Sequence, residues 1–239
     1  MEPVAGIIVG SVDVGDSDRI VRVLTAEHGR ISMMVRRARS SRKRWGGLIE
    51  VGNLLTLQLK KGRGDLFMLN GADLLSAPRK ARADLVRIAM LAYGCELCAA
   101  LAPDTHPAPK LTRLLLTWLK LLEAEAMPGM ASRVALDGKA LTFAGLTPSL
   151  IRCARCGLPL DGGCTWDPEA GGAQHDHCGG GGQIPSSVLA QFETLRRTPL
   201  AETTNVDAPP ARWCGILTDF AQHHLRRPIK SRNLLEELS

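Results

Sequence analysis

Aromatic residues are scarce. Phe, Trp and Tyr make up 4% of the 239 residues, and residues 1–80 contain only Trp45 and Phe67. A single-strand nucleic-acid binder that stacks successive bases on aromatic rings normally offers more. Long hydrophobic runs are also missing. The richest Leu stretch, Leu111 to Leu122, is broken by Arg113 and Lys120, whereas a membrane helix needs roughly 18 or more apolar residues in succession. The opening MEPVAGIIVGSVDVGDSD has no basic segment and meets acidic residues at once. No secretory signal is therefore predicted, and a cytoplasmic, nucleoid-associated location is expected. Signatures of catalysis are absent too: no G-x-x-x-x-G-K-[ST], no G-x-S-x-G, no H-E-x-x-H, and no H-x-E paired with P-C-x-x-C. Lys61-Gly-Arg-Gly64 reads as a turn, not a phosphate loop. These absences predict a protein that is not an enzyme.

What is present is ordinary globular composition, with 45% hydrophobic and 23% charged residues. The length fits one large or two to three small domains. The charge is lopsided. Residues 1–80 hold 14 Lys+Arg and 8 Asp+Glu, a net of +6, and residues 81–239 hold 16 of each. All the excess positive charge lies in the first third, which points to a nucleic-acid-binding N-terminal domain. Seven Cys in a chain without a secretory signal read as metal ligands or buried thiols.

Residues 1–75 alternate between short β-type runs and turn signals. Runs at Ala5–Val12, Arg19–Thr25, Arg30–Arg36, Leu48–Leu59 and Leu66–Leu75 predict five strands, the fourth bending around Gly52-Asn53. Such spacing suits a small β-barrel. From Pro78 the period changes. Helices are predicted at Arg82–Ala100, Lys110–Ala126, Ser132–Ala144, Ser186–Arg197 and Pro210–Leu225. Between them, residues 153–183 are Gly-rich and carry 4 of the 7 Cys. The expected organisation is a barrel domain over 1–78 and a helical domain over 79–239, with a metal-binding insertion at about 150–184.

The strongest local signal is Cys153-Ala-Arg-Cys156, followed across residues 157–174 by His175-Asp-His-Cys178. Two knuckles, each gripping with two side chains, suit one tetrahedral Zn²⁺. The natural ligands are Cys153, Cys156, His175 and Cys178, with Cys164 and His177 as alternates. Four protein ligands leave no open position, so the predicted ion is structural. Cys95-Glu-Leu-Cys98 is a second C-x2-C, but it lies inside an apolar helical pattern and reads as a buried pair. His223-His224 has no partner that the sequence identifies.

Arg36-Arg37-Ala-Arg39-Ser-Ser-Arg42-Lys43-Arg44 packs six basic residues into nine positions with no acid. Predicted as an exposed loop between the third and fourth strands, it suits several phosphates with little base selectivity. Lys60, Lys61 and Arg63 extend the patch.

The order of features resembles the bacterial RecO family of recombination mediators over nearly the whole chain. Gly15-Asp16-Ser17-Asp18-Arg19-Ile20-Val21, with Leu24-Thr25 and Gly29, is similar to the family's opening strands. Val35 to Arg44 followed by Leu48 resembles its basic loop, and Gly62-Arg63-Gly64-Asp65-Leu66 follows in place. The Cys153–Cys156-Gly157 knuckle, Trp166-Asp167-Pro168-Glu169-Ala170-Gly171-Gly172, and His175 with Cys178 resemble its metal segment. His224 followed by Ile229-Lys230-Ser231-Arg232 and Leu234-Leu235 matches its C-terminal signature. Three departures stand out: His175 replaces the usual third metal cysteine, Arg37 a usual Gly, and Glu50-Val51 an often-seen Pro-Phe.

The resemblance implies an α+β multidomain protein, an OB-fold barrel followed by a helical domain with the zinc-knuckle insertion. It implies binding to single- and double-stranded DNA, annealing of complementary strands, and help in loading RecA onto DNA covered by single-strand-binding protein. RecR and the acidic, aromatic-ended C-terminal tail of single-strand-binding protein are the implied partners. The helical domain is where that tail is expected; its Leu114, Leu115, Trp118, Leu121 and Leu122 make a wide apolar face, though the individual Leu residues read as core. Two other classes fit the same residues less fully: a zinc-ribbon and OB-fold module reading RNA in transcription or translation, and a zinc enzyme acting on nucleic acid.

Overall fold

Inward-facing aliphatics at every second position set the first architecture. The computed structural model describes residues 2–62, 64–226 and 228–238. Strands β1 (Val4–Val14), β2 (Asp18–Thr25), β3 (Gly29–Val35), β4 (Leu54–Lys61) and β5 (Leu66–Ser76) close into an OB-like barrel in the order β1-β2-β3-β5-β4. The β3–β5 pair is parallel and the others antiparallel. On β3, Ile31, Met33 and Val35 turn inward while Arg30, Ser32 and Met34 stay partly exposed, the period-2 consequence of the pleat. With Ile8, Val21, Val23, Leu55, Leu57 and Leu59 they fill the barrel. Register shifts on β1 at Ile8/Gly10 and on β4 at Gln58/Leu59 are bulges, which bend strands enough to close a small barrel.

The fourth strand is shorter than the sequence predicts. It begins at Leu54, and residues 46–52 form turns that drop Ile49 into the core. The Asn53 side-chain amide donates to the carbonyls of Gly47 and Leu48, both at 2.8 Å. A buried side chain thus satisfies the carbonyls that a ladder would otherwise pair. Before it, the basic segment carries a single helical turn, α1 (Arg42–Trp45).

Two compact units follow from the packing. The first comprises Met1–Ala124 with Lys230–Ser239, and the second Glu125–Ile229. In the first, α2 (Arg79–Arg82), α3 (Leu85–Leu101) and α4 (Pro109–Leu122) follow the barrel. Pro109 stands in the first turn of α4, where its missing N–H costs nothing. Gly94 lets α3 approach Trp118 of α4: a Cβ there would stand 2.4 Å from the indole. The Trp118 Nε1–H donates to the Met90 carbonyl at 3.0 Å. Gly29, at φ +59, opens β3 where a Cβ would meet the His106 carbonyl at 2.1 Å, so only glycine fits there.

In the second unit, α5 (Met130–Phe143) is buried along most of its length. A three-stranded sheet follows, β6 (Cys164–Asp167), β7 (Gly172–His175) and β8 (Gly182–Ile184), in the order β7-β6-β8. Then come α6 (Ser186–Arg197) and α7 (Ile216–Leu225), which enclose α5. The sequence expectation of one helix over Pro210–Leu225 resolves into a short 3-10 turn at Ala211–Trp213 and α7. Buried Thr218 links Arg133 and Asp137, accepting from Arg133 at 3.5 Å and donating to Asp137 at 3.0 Å. The chain returns to the first unit as α8 (Ser231–Glu237) against α3. There the Glu96 carboxylate accepts from the backbone N–H groups of Lys230 and Ser231 and from the Ser231 hydroxyl. Among the described residues, no helix is long and apolar enough to cross a membrane.

Candidate nucleic-acid interface and metal centre

The basic segment is ordered by bonds from every side. Asp18 accepts from the Arg37 backbone N–H at 2.8 Å, and the Ser17 carbonyl from the Arg39 N–H at 3.0 Å. Within the segment, Ser41 N–H donates to the Arg37 carbonyl and Trp45 N–H to the Ser41 carbonyl. Trp45 is 3% exposed and packs in the barrel core, its indole N–H donating to the Arg36 carbonyl at 3.2 Å. The aromatic ring that the sequence offers beside the loop is therefore a plug holding the loop down, and no base can stack on it. Phe67 also packs against the barrel core.

The side chains of Arg36, Arg37, Arg39, Lys43 and Arg44 are exposed, as are Lys60 and Lys61. Arg44 lies over the Trp45 ring at 4.6 Å and donates to the Asn70 carbonyl at 2.6 Å. Asn70 is on β5, the strand that pairs Lys60 with Met68 and Lys61 with Phe67. Arg44 of the loop thus reaches β5, the strand paired with the end of β4 that carries the two lysines. Arg63 lies outside the described residues, as does the side chain of Arg42.

Sequence reasoning missed the acidic side of this arrangement. Asp13 pairs with Arg19 at 2.8 Å and with Arg39 at 3.5 Å. Arg39 also donates to the Asp16 carbonyl. The acid-rich stretch at residues 13–18, between the first two predicted strands, was the available signal.

The metal cluster is assembled by two turns. Gly157 N–H donates to the Cys153 carbonyl and Cys178 N–H to the His175 carbonyl, both at 2.9 Å, closing each knuckle. Cys153, Cys156, His175 and Cys178 then bring their ligand atoms within 4.8 Å of one another. His175 Nδ1 stands 3.5 Å from Cys156 Sγ and 3.7 Å from Cys178 Sγ. A tetrahedral ion with bonds of ~2.3 Å to sulfur and ~2.05 Å to nitrogen sets such edges at about 3.5 Å. His175 Nε2 lies 3.0 Å from the Pro159 carbonyl, a bond that leaves Nδ1 as the free ligand nitrogen. The four residues therefore fit a metal ion and can hold one.

Thiol electrostatics agree with that reading. Burial raises the Cys153 thiol, but hydrogen bonds from the backbone of Cys156, His175 and Arg155 outweigh it and bring the thiol to about 6. Burial and the neighbouring sulfurs push Cys178 up to about 11. Crowded sulfurs resist sharing negative charge until a cation joins them. Cys164 faces His175 across the β6–β7 ladder but stays outside the cluster, with its Sγ toward the Gly162 carbonyl. His177 stacks on the His175 ring at 5.0 Å with its own side chain exposed, also outside the cluster. Cys95 and Cys98 are buried in α3, and burial pushes Cys95 up to about 12. The edge of His224 packs on Phe220 at 4.3 Å. Leu114, Leu115, Trp118, Leu121 and Leu122 are all buried, so they form core rather than a docking face.

An OB-like barrel followed by a helical region with a Cys3His insertion is the class that fold and cluster define. The comparisons narrow it. Residues 1–78 match the family described as Recombination protein O N terminal, and residues 82–233 match Recombination protein O C terminal. The chain belongs to the recombination protein O family. It is 37% identical over 242 residues to the DNA repair protein RecO of Anaeromyxobacter dehalogenans (strain 2CP-C), covering 98% of this chain and 95% of that protein. The DNA repair protein RecO of Myxococcus xanthus (strain DK1622) is 34% identical, covering 97% and 96% respectively. That of Geobacter sulfurreducens is 31% identical over 239 residues, covering 98% and 96%.

Proposed function

We propose that this chain is a non-enzymatic DNA repair and recombination mediator of the cytoplasm. In this reading the barrel over residues 1–78 binds single- and double-stranded DNA and complementary strands anneal on it. The helical domain over 79–239 carries one structural Zn²⁺ on Cys153, Cys156, His175 and Cys178. The protein works with RecR to help load RecA onto DNA covered by single-strand-binding protein. The observation that carries the reading is the ordered loop presenting Arg36, Arg37, Arg39, Lys43 and Arg44 beside Lys60 and Lys61. Arg42 and Arg63 extend that run in sequence. Annealing needs phosphate repulsion screened and base edges left free, which contacts to the backbone alone achieve. The buried Trp45 fits the same task, because its ring is not available to stack on a base. The tail of single-strand-binding protein is assigned to a groove of about 310 Å³ lined by Leu54, Pro78, Leu116, Leu119 and Lys120, where the Glu123 carboxylate is turned to the Lys80 and Ala81 N–H groups.

The test is annealing of complementary strands coated with single-strand-binding protein, with and without RecR, alongside direct DNA binding. Four effective phosphate contacts give slopes of roughly −3 on single strands and roughly −4 on duplex in log affinity against log salt. Replacing Arg37, Arg39 and Lys43 together should flatten both slopes and weaken all sequences alike. Unchanged affinity and slope in that variant, or tighter binding to structured RNA than to DNA, would count against the reading.

A further inference from the structure

The basic loop does not stand alone in its field. Acids of the β1–β2 hairpin touch it in two different ways. Asp13 meets guanidinium groups: Arg19 at 2.8 Å and Arg39 at 3.5 Å. Both partners keep substantial exposure, 26% for the Arg19 side chain and 47% for those of Arg39 and Asp13. A phosphate reaching this flank must displace a carboxylate already there. Asp18 instead meets backbone: its Oδ1 accepts from the Arg37 N–H at 2.8 Å and from the Ser17 hydroxyl at 3.2 Å.

Arg37 explains why that backbone contact matters. Its φ is +53, the left-handed region in which a residue with a Cβ is strained by roughly 1–2 kcal/mol. Three successive contacts hold the turn: Asp18 on Arg37 N–H, the Ser17 carbonyl on Arg39 N–H, and the Arg37 carbonyl on Ser41 N–H. Of these, only the first comes from a side chain.

We propose that the acidic hairpin regulates the basic loop in two opposed senses: Asp18 is a positioning residue that holds the strained Arg37 turn, and Asp13 competes with nucleic-acid phosphate for Arg39 and Arg19. This rests on the reading that the loop binds DNA. A charge-only view assigns all three hairpin acids the same sign, because each repels phosphate. The contacts assign opposite signs. Among the described groups, the Asp16 carboxylate pairs with no basic side chain, and it supplies the control.

The experiment measures binding of fluorescently labelled oligothymidylate to the full chain by anisotropy at low salt. Asp16→Ala reports the background effect of one lost negative charge. Asp13→Ala should tighten binding beyond that background by about 2–5-fold, the size of a partly exposed ion pair released. Asp18→Ala should weaken binding by roughly 3–10-fold despite the added positive charge, the size of an ordinary net hydrogen bond lost from the turn. Asp18→Asn keeps an acceptor oxygen and should recover most of that loss. In an Arg37→Gly background, where φ +53 carries no strain, the Asp18→Ala loss should shrink.

Three alanine variants that tighten binding alike would overturn the proposal, because the hairpin would then be uniform background charge. An Asp18→Ala loss of equal size with Arg37 and with Gly at that position would overturn the positioning role. Should Asp18→Ala fail to fold, the Asp13 arm decides: no tightening beyond Asp16→Ala defeats the idea. Failure of the underlying reading looks different. There, the Arg37, Arg39 and Lys43 triple variant keeps the parent affinity, whatever the hairpin variants do.

Discussion

His175 is the one nitrogen ligand in a cluster otherwise made of sulfur, and its geometry suits it to that place. Its Nε2 is occupied by the Pro159 carbonyl and its Nδ1 points at two sulfurs. An imidazole held in one tautomer is a competent zinc ligand, and three thiolates with one neutral imidazole leave a single net negative charge around Zn²⁺. His175→Ala should drop retained zinc well below one per chain, measured by elemental analysis after purification without chelator. His175→Cys should keep it, because four sulfurs also make a closed tetrahedral site. Cys164→Ser and His177→Ala should leave metal content unchanged, since neither side chain enters the cluster. Dependence on Cys164 with indifference to His175 would reverse the assignment. Trp45 teaches the complementary lesson. The scarcity of aromatics in residues 1–80 already argued against a stacking platform, and burial makes the one ring beside the basic run a plug.

At the scale of elements, local pattern carried much of the fold. The β2, β3 and β5 runs and the helix over Ser186–Arg197 were legible because alternation or a 3.6-residue stripe marks each of them. The start of β4 was not, because the turns before it depend on the Asn53 amide reaching back to Gly47 and Leu48. Nor was the parallel β3–β5 pairing that closes the barrel, since nothing local encodes which distant strands meet. The four residues of the Cys3His cluster could be picked out from spacing, whereas the hairpin acids gripping the basic loop needed three dimensions. Helix α6 also carries an electrostatic device. Glu193 receives hydrogen bonds from Arg196 and Arg197, one helical turn on, at the end where cations favour the helix dipole. The Arg196 hydrogen bond leads in holding the Glu193 carboxyl below its usual range, against burial, which raises it. A depressed carboxylate stabilises the fold above its unfolded value of about 4.3 and loses that contribution as pH falls through the folded value. Glu193→Gln should therefore cost about 0.5–1 kcal/mol at neutral pH. That difference from the parent should close as the pH of a thermal melt drops below about 4. A gap that persists undiminished in acid would point to packing instead of charge.

At the scale of the molecule, the excess positive charge and the Cys3His cluster fall in different units. Met1–Ala124 with Lys230–Ser239 holds 21 Lys+Arg and 14 Asp+Glu, a net of +7, and Glu125–Ile229 holds 9 and 10, a net of −1. The first unit has its own barrel core and hydrogen-bonded ladder, and it is closed by α8 on Glu96. Within the second unit, the Cys3His segment has only short strands and many glycines, so a bound metal would add cross-links to the order that burial of Cys164, Trp166, Ala173 and Ile184 already gives. Removing the metal should therefore loosen residues 150–184 selectively. Hydrogen–deuterium exchange of chelator-treated protein should rise across Cys153–Cys178 and change little on β1 to β5. The DNA slope against salt should stay as in the metal-loaded protein, because the residues proposed to meet phosphate all belong to the positively charged unit. If metal removal instead flattens that slope while exchange in the barrel is unchanged, the knuckle itself takes part in holding DNA, and the assignment of DNA binding to the barrel alone fails.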